Sequence, residues 1–199
     1  MFRIENVHAI MKVGDRLQEF FYLLLCYIIG TFMSAWFIGK WYGVALQEKN
    51  SGNLGARNAG RTLGKWAFCI TLLFDGLKGA MAVYIGRIFA LDEIIVTFGV
   101  VICILGHLFP FWLRLRGGKG VATLLGGLLI LNPYLLLILI CGILISFPFM
   151  KGLTLSMVIG FIVCSIAIFL LNLSMYFPII IGFLFITWKH RENLKKRGG

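Results

Sequence analysis

Apolar positions in this chain gather into long runs separated by short polar stretches; they neither alternate nor keep to one helical face. The runs are Phe20–Gly39, Trp66–Ala90, Ile94–Leu113, Val121–Leu131, Pro133–Met150, Leu153–Leu171 and Ser174–Trp188. A segment that is apolar all round is a helix buried in a large core or a membrane, and a span takes about 20 such residues. The stretch 121–150 reads as one overlong helix or as two short ones turning at Asn132-Pro133, because proline disfavours a helical residue before it. Ahead of the runs, residues 1–19 are mixed polar and charged, with apolar positions at loosely helical spacing, and are expected to form an interfacial extension. The remainder, 20–199, is expected to be one compact membrane domain.

Composition supports the membrane reading: 60% of residues are apolar and only 14% charged, whereas soluble domains carry about a quarter charged. The five cysteines lie in apolar runs without metal spacing and read as small core residues. No cleavable signal is evident, since no A-x-A site follows the first run.

Charge placement decides the number of spans. With seven, the basic clusters at 40–65, 114–119, 151 and 189–197 face one side, which collects fourteen of the nineteen lysines and arginines. The opposite connections, Asp92-Glu93, Asn132-Pro133 and Asn172-Leu173-Ser174, carry none. Six spans would put the basic tail across the membrane from the 40–65 loop, against the positive-inside rule. The expectation is an all-α polytopic membrane protein, a bundle of seven transmembrane helices with the N-terminus outside and the C-terminus cytoplasmic. The net charge of +11 is spread between apolar runs, which points to membrane lipid and small anions, not nucleic acid.

Three polar segments then lie on one face. Ser51-Gly52-Asn53-Leu54-Gly55-Ala56-Arg57-Asn58 offers backbone N–H groups, a hydroxyl, two amides and a guanidinium, the display a phosphate takes. In Arg114-Leu115-Arg116-Gly117-Gly118-Lys119-Gly120 the lysine stands at the start of a helix, where negative charge is favoured. The Walker A spacing is absent, and the same basic residues also fit a simple topological anchor. His190 and Asn193 close the last run at i and i+3 with Arg191 between them; His190 can donate to a phosphate or carry a proton, and it also fits an interfacial tail. Asp75 and Lys78 share a helix face inside the second run and read as a structural ion pair, with Lys78 able to add positive potential to a nearby site. Ser51 has no base held by a carboxylate near it in sequence, so it reads as a donor to an anion and not as a nucleophile. His107, in a run of aromatics, receives no role. An acyltransferase dyad of His followed five residues later by Asp is also absent: His107 meets Trp112 and His190 meets Lys195.

Five ordered motifs carry a resemblance: Ser51-Gly52-Asn53-Leu54-Gly55-Ala56-x-Asn58 with Arg61, Leu73-x-Asp75-x-Leu77-Lys78-Gly79, Gly106-His107-x-Phe109-Pro110, Gly117-Gly118-Lys119-Gly120-Val121-Ala122-Thr123 and His190-Arg191-x-Asn193. From about residue 20 to its end the chain resembles the bacterial acyl-phosphate:glycerol-3-phosphate acyltransferases, the PlsY family. The resemblance implies a seven-helix enzyme of the bacterial cytoplasmic membrane with its active site on the cytoplasmic side. It implies acyl transfer from acyl phosphate to the 1-hydroxyl of glycerol 3-phosphate, giving lysophosphatidic acid and phosphate without a cofactor or metal. Other enzymes of phospholipid synthesis become plausible neighbours. Carried over by position, Ser51, Arg61, Lys119, His190 and Asn193 are the expected catalytic set. Gly52, Asn53, Gly55, Arg57, Asn58, Lys78, Gly117, Gly118, Gly120 and Arg191 are expected to bind substrate. Arg57 stands where the family usually has Thr, and Ala45–Asn50 replaces its usual Asp-Ile/Val-Arg run. Two other readings remain: a weakly active or silent relative that binds acyl phosphate or a partner, and an anion channel or transporter. One-sided clustering of the ionisable residues speaks against a pore.

Overall fold

The computed structural model describes residues 2–150 and 152–191, with side chains from Gly14 onward. The chain forms helices α1 (Phe2–Thr31), α2 (Ser34–Trp41), α3 (Ala56–Leu63), α4 (Lys65–Ile88), α5 (Glu93–Leu108), α6 (Val121–Leu131), α7 (Pro133–Ser146), α8 (Leu153–Leu170) and α9 (Pro178–Lys189). Short 3-10 turns cover Leu46–Glu48, Phe111–Leu113 and Ser174–Tyr176. Four apolar segments are long enough to cross a membrane, Gly14–Trp41, Lys65–Ile88, Glu93–Leu113 and Leu153–Leu170. Three shorter ones, Val121–Leu131, Pro133–Ser146 and Ser174–Lys189, complete the expected seven. Large apolar side chains such as Phe74, Leu144, Phe169 and Leu184 are exposed around the outside, a coat that suits lipid and not water.

The ambiguous stretch 121–150 is two helices. Asn132 accepts hydrogen bonds from Tyr134 N and Leu135 N at 3.0 and 3.1 Å, and Pro133 occupies the first helical position, a cap that starts α7 afresh. The last carbonyls of α6 are taken by Arg87, which donates to Ile130 O at 2.8 Å and Leu131 O at 2.9 Å while pairing with Glu93.

Elsewhere the boundaries shift. The first expected span divides at Phe32-Met33 into α1 and α2, and α1 runs back as one helix to Phe2, so the backbone of the expected interfacial extension continues the first span. The third span stops being α-helical at Leu108, ahead of Pro110, whose ring removes a donor and restrains the residue before it. The polar loop after residue 55 is itself a two-turn helix, α3.

At the centre α5 packs against α1, α4, α6 and α9, and the α7–α8 pair closes the far side. The largest core cluster runs from Val83 and Val100 through Leu124, Leu128, Leu135 and Phe161 to Ile186. Helices α4 and α6 touch backbone to backbone: a Cβ on Gly126 would overlap Gly76, and one on Gly79 would overlap the Thr123 carbonyl. Such close approach replaces the hydrophobic drive that lipid cannot supply between helices.

Candidate active site

The glycine-rich loop is built over a small apolar floor. Leu54 is buried with Met33, Ala35, Leu46, Ala59 and Ala67, and Leu113 from the α5–α6 connection packs on the same cluster. One hydrophobic plug therefore sets the height of both polar loops. Above it, buried Asn58 brackets the first loop, donating to Leu46 O at 2.9 Å while its Oδ1 accepts from Ser51 N and Ser51 Oγ, both at 3.2 Å. Asn58 thus holds Ser51, and its amide is spent on the protein. Gly52 turns the loop with φ of 65° beside the Gln47 carbonyl, and Asn53 and Gly55 lie half-buried leading into α3.

From α3 the side chains of Arg57 and Arg61 line a cleft of about 290 Å³ together with Gly60, Lys65 and Phe68. Lys65 and Phe68 were not singled out from sequence; they read there as the flank of a span, and only the turn at Gly64 brings them beside the arginines.

The second loop is stitched to the end of α5. Gly117 N donates to Leu108 O at 3.2 Å and Gly118 N to His107 O at 3.0 Å. Gly117, Gly118 and Gly120 are buried, and Lys119 stands half-buried between the last two, next to the first turn of α6. Position 118 admits no side chain, because a Cβ there would overlap His107 Nε2.

The third segment arrives on α9. Lys189 donates to Leu108 O at 3.2 Å and lies over the Phe109 ring, fixing α9 to the end of α5. Arg191 is exposed and stacks on Trp188. His190 is 8% exposed. Burial first, then the charges of Lys119 and Arg57, push its imidazole down to about 4, against the raising effect of a hydrogen bond to Ile186 O. The charges of Arg57, from the first segment, and Lys119, from the second, therefore both act on His190 in the third. His190 Nδ1 lies 2.9 Å from the Ile186 carbonyl. A carbonyl only accepts, so Nδ1 carries the proton and neutral Nε2 is an acceptor. Of the two roles expected for His190, donation to a phosphate through Nε2 requires that this neutral ring first take up a proton.

Lys78 takes a different place from that of a substrate ligand. It is 3% exposed and donates to Gly30 O at 3.2 Å and Phe32 O at 2.8 Å, with Asp75 at 3.1 Å. Its ammonium is turned toward the break between α1 and α2, which corrects the expectation that it binds substrate directly. Asn193 lies outside the described residues.

A helical bundle coated with apolar side chains, with Arg57, Arg61 and Lys65 lining one cleft and Lys119 on a neighbouring loop, is an integral membrane protein with a basic candidate site. A family model described as glycerol-3-phosphate acyltransferase matches residues 20–197, and the chain belongs to that family. Among its relatives is the glycerol-3-phosphate acyltransferase of Wolbachia pipientis subsp. Culex pipiens, 34% identical over 179 residues, covering 89% of this chain and 94% of that one. An enzyme of the same name from Thermus thermophilus is 35% identical over 185 residues, covering 87% and 88%. The crystal structure of PlsY (YgiH), an integral membrane glycerol 3-phosphate acyltransferase, in its glycerol 3-phosphate form, superposes with a TM-score of 0.80 at 30% identity over 90% of this chain and 91% of that one. Its lysophosphatidic acid form gives 0.78 at 29% identity.

Proposed function

We propose that the protein transfers a fatty acyl group from acyl phosphate to the 1-hydroxyl of glycerol 3-phosphate, in phospholipid synthesis. The observation that carries this reading is the fold shared over nine-tenths of its length with the glycerol 3-phosphate form of such an enzyme, in which the charges of Arg57 and Lys119 act on His190. Acyl phosphate is a mixed anhydride and already activated. The acceptor oxygen attacks the acyl carbon, the bond from that carbon to the phosphate oxygen breaks, and a phosphate oxygen takes the hydroxyl proton. The site needs no nucleophile of its own for this sequence. Its work is to hold two anions in line and to stabilise the negative charge that moves onto the leaving phosphate.

In this reading Lys119 and the α6 N-terminus hold one phosphate, and Arg57 and Arg61 face the other, with Ser51 between them once its hydroxyl turns from Asn58 Oδ1 to a phosphate oxygen. His190 Nε2 orients the acceptor hydroxyl, and Asn193, three residues further on, completes the set. The basic end faces the cytoplasm of a bacterial plasma membrane, so glycerol 3-phosphate arrives from water and the acyl chain from the bilayer. Phosphate release from palmitoyl phosphate by the purified protein in lipid tests the reading. Release that depends on glycerol 3-phosphate, with lysophosphatidic acid formed in equal amount, is the expected result. Release without the acceptor, or none from a folded protein, overturns it in favour of a hydrolase or a silent relative.

A further inference from the structure

Beneath the two phosphate loops lies a buried cluster of charged and polar groups that the proposed chemistry does not use. Asp75 is 2% exposed, Lys78 3% and His107 2%. Lys78 Nζ meets Asp75 Oδ1, His107 Nδ1 and the carbonyls of Gly30 and Phe32, and Ser34 Oγ donates to Asp75 Oδ1 at 3.0 Å. Lysine only donates, so His107 Nδ1 accepts and the ring proton sits on Nε2. That Nε2 edge is pressed against Gly118, while the His107 carbonyl receives the Gly118 N–H at 3.0 Å. One imidazole thus touches the ammonium below it and the lysine-bearing loop above it. An ion pair hidden this deeply costs desolvation and stabilises little beyond an apolar replacement, so its use is better sought in what it orients.

We propose that His107 is a positioning residue for Lys119, held in its rotamer by the Lys78–Asp75 pair and bearing on the Gly117–Gly118 backbone. This rests on the acyl-transfer reading for its kinetic consequence, though not for its structural one. The same pair anchors the α1–α2 break through Gly30, Phe32 and Ser34, and that break leads into the glycine-rich loop. A single buried cluster therefore sets both phosphate loops relative to each other.

The test compares His107→Leu, which removes the acceptor, with His107→Asn, whose Oδ1 falls where Nδ1 was and can still accept the hydrogen bond from Lys78. In lipid, His107→Leu is expected to lower kcat/KM for glycerol 3-phosphate by roughly ten- to a hundredfold, as for a misplaced phosphate ligand, and to lower the thermal midpoint because a buried ammonium loses a partner. His107→Asn keeps the acceptor for Lys78 but has no atom at the Nε2 edge that Gly118 packs on, so it is expected to hold the parent's thermal midpoint while losing most of the rate that His107→Leu loses. Gly118→Ala is expected to be inactive, and His107→Ala added to it to restore part of the rate by making room for the methyl group. Amide exchange over residues 114–120 reads the loop without turnover, and His107→Leu is expected to accelerate it while leaving α8 unchanged. Parental kcat/KM and parental exchange in His107→Leu overturn the positioning role, as does Gly118→Ala that is no better with His107→Ala. Absence of turnover in the parent protein defeats only the acyl-transfer reading, and exchange then decides the positioning role.

Discussion

At the scale of single residues, Lys119 and Ser51 are the side chains on which the proposed transfer depends most directly. Lys119→Ala and Ser51→Ala are each expected to lower kcat/KM by about a hundredfold or more, the usual consequence of removing one preorganised partner of transition-state charge. Both variants should insert and unfold like the parent, and full activity in both would remove the site assignment. His190 offers a sharper test because its environment fixes a sign. The unfolded imidazole titrates near 6.5 and the folded one at about 4. Between those values the unfolded chain binds a proton that the folded chain refuses. Stability therefore falls as pH drops from about 6.5 to about 4, by on the order of 3 kcal/mol at most, and is untouched above that window. Arg57 supplies part of the depression. Arg57→Thr is expected to raise the His190 pKa, which shrinks the acid loss of stability and moves the acid limb of kcat toward neutral pH. A pH profile identical to the parent's would place Arg57 outside the electrostatic reach of the histidine.

At the scale of elements, the close pairing of α4 with α6 has no room for side chains. Gly126→Val is expected to destabilise by about 1–3 kcal/mol or more, because a backbone, unlike a flexible side chain, cannot yield to an overpacked group. Thermal unfolding in detergent reads this, with Gly14→Val as the control, since nothing lies within 4 Å of a Cβ at that position. The elements also divide what the sequence makes legible from what it does not. Apolar run length marks α4 and α8 to within two residues, because lipid-facing helices must be apolar throughout. Asn132-Pro133 carries its own cap chemistry and separates α6 from α7 once local hydrogen bonding is considered. The division of α1 from α2 has no local mark. Its carbonyls are taken by Lys78, 46 residues away at Phe32, and a contact of that range leaves no trace in periodicity. The same holds in the site: Lys119 and Ser51 announce themselves among glycines, whereas His107 looks like one more interfacial polar residue until Gly118 is seen against its ring.

At the scale of the whole molecule, the proposed topology places Ser51, Lys119 and the residues after His190 on one face, with Asp92, Asn132 and Asn172 on the other. Single cysteines introduced at Asn172 and at Lys195 in a background without native cysteines should label from opposite sides of sealed vesicles. Labelling of both from one side would require an even number of crossings and would separate the tail from the glycine-rich loop.

The two helices α6 and α7 set the depth at which this protein works. With 11 residues in α6 and 14 in α7, at about 1.5 Å per residue they reach only ~16 and ~21 Å along their axes, against a hydrocarbon slab of about 30 Å. If Asn132 sits at the far interface, the Lys119 end of α6 lies well below the near one. The phosphate of glycerol 3-phosphate would then be bound below the plane of the near headgroups, within reach of an acyl chain still in the hydrocarbon. Turnover is then expected to vary with bilayer thickness, thin membranes bringing that site nearer to water and thick ones setting it deeper.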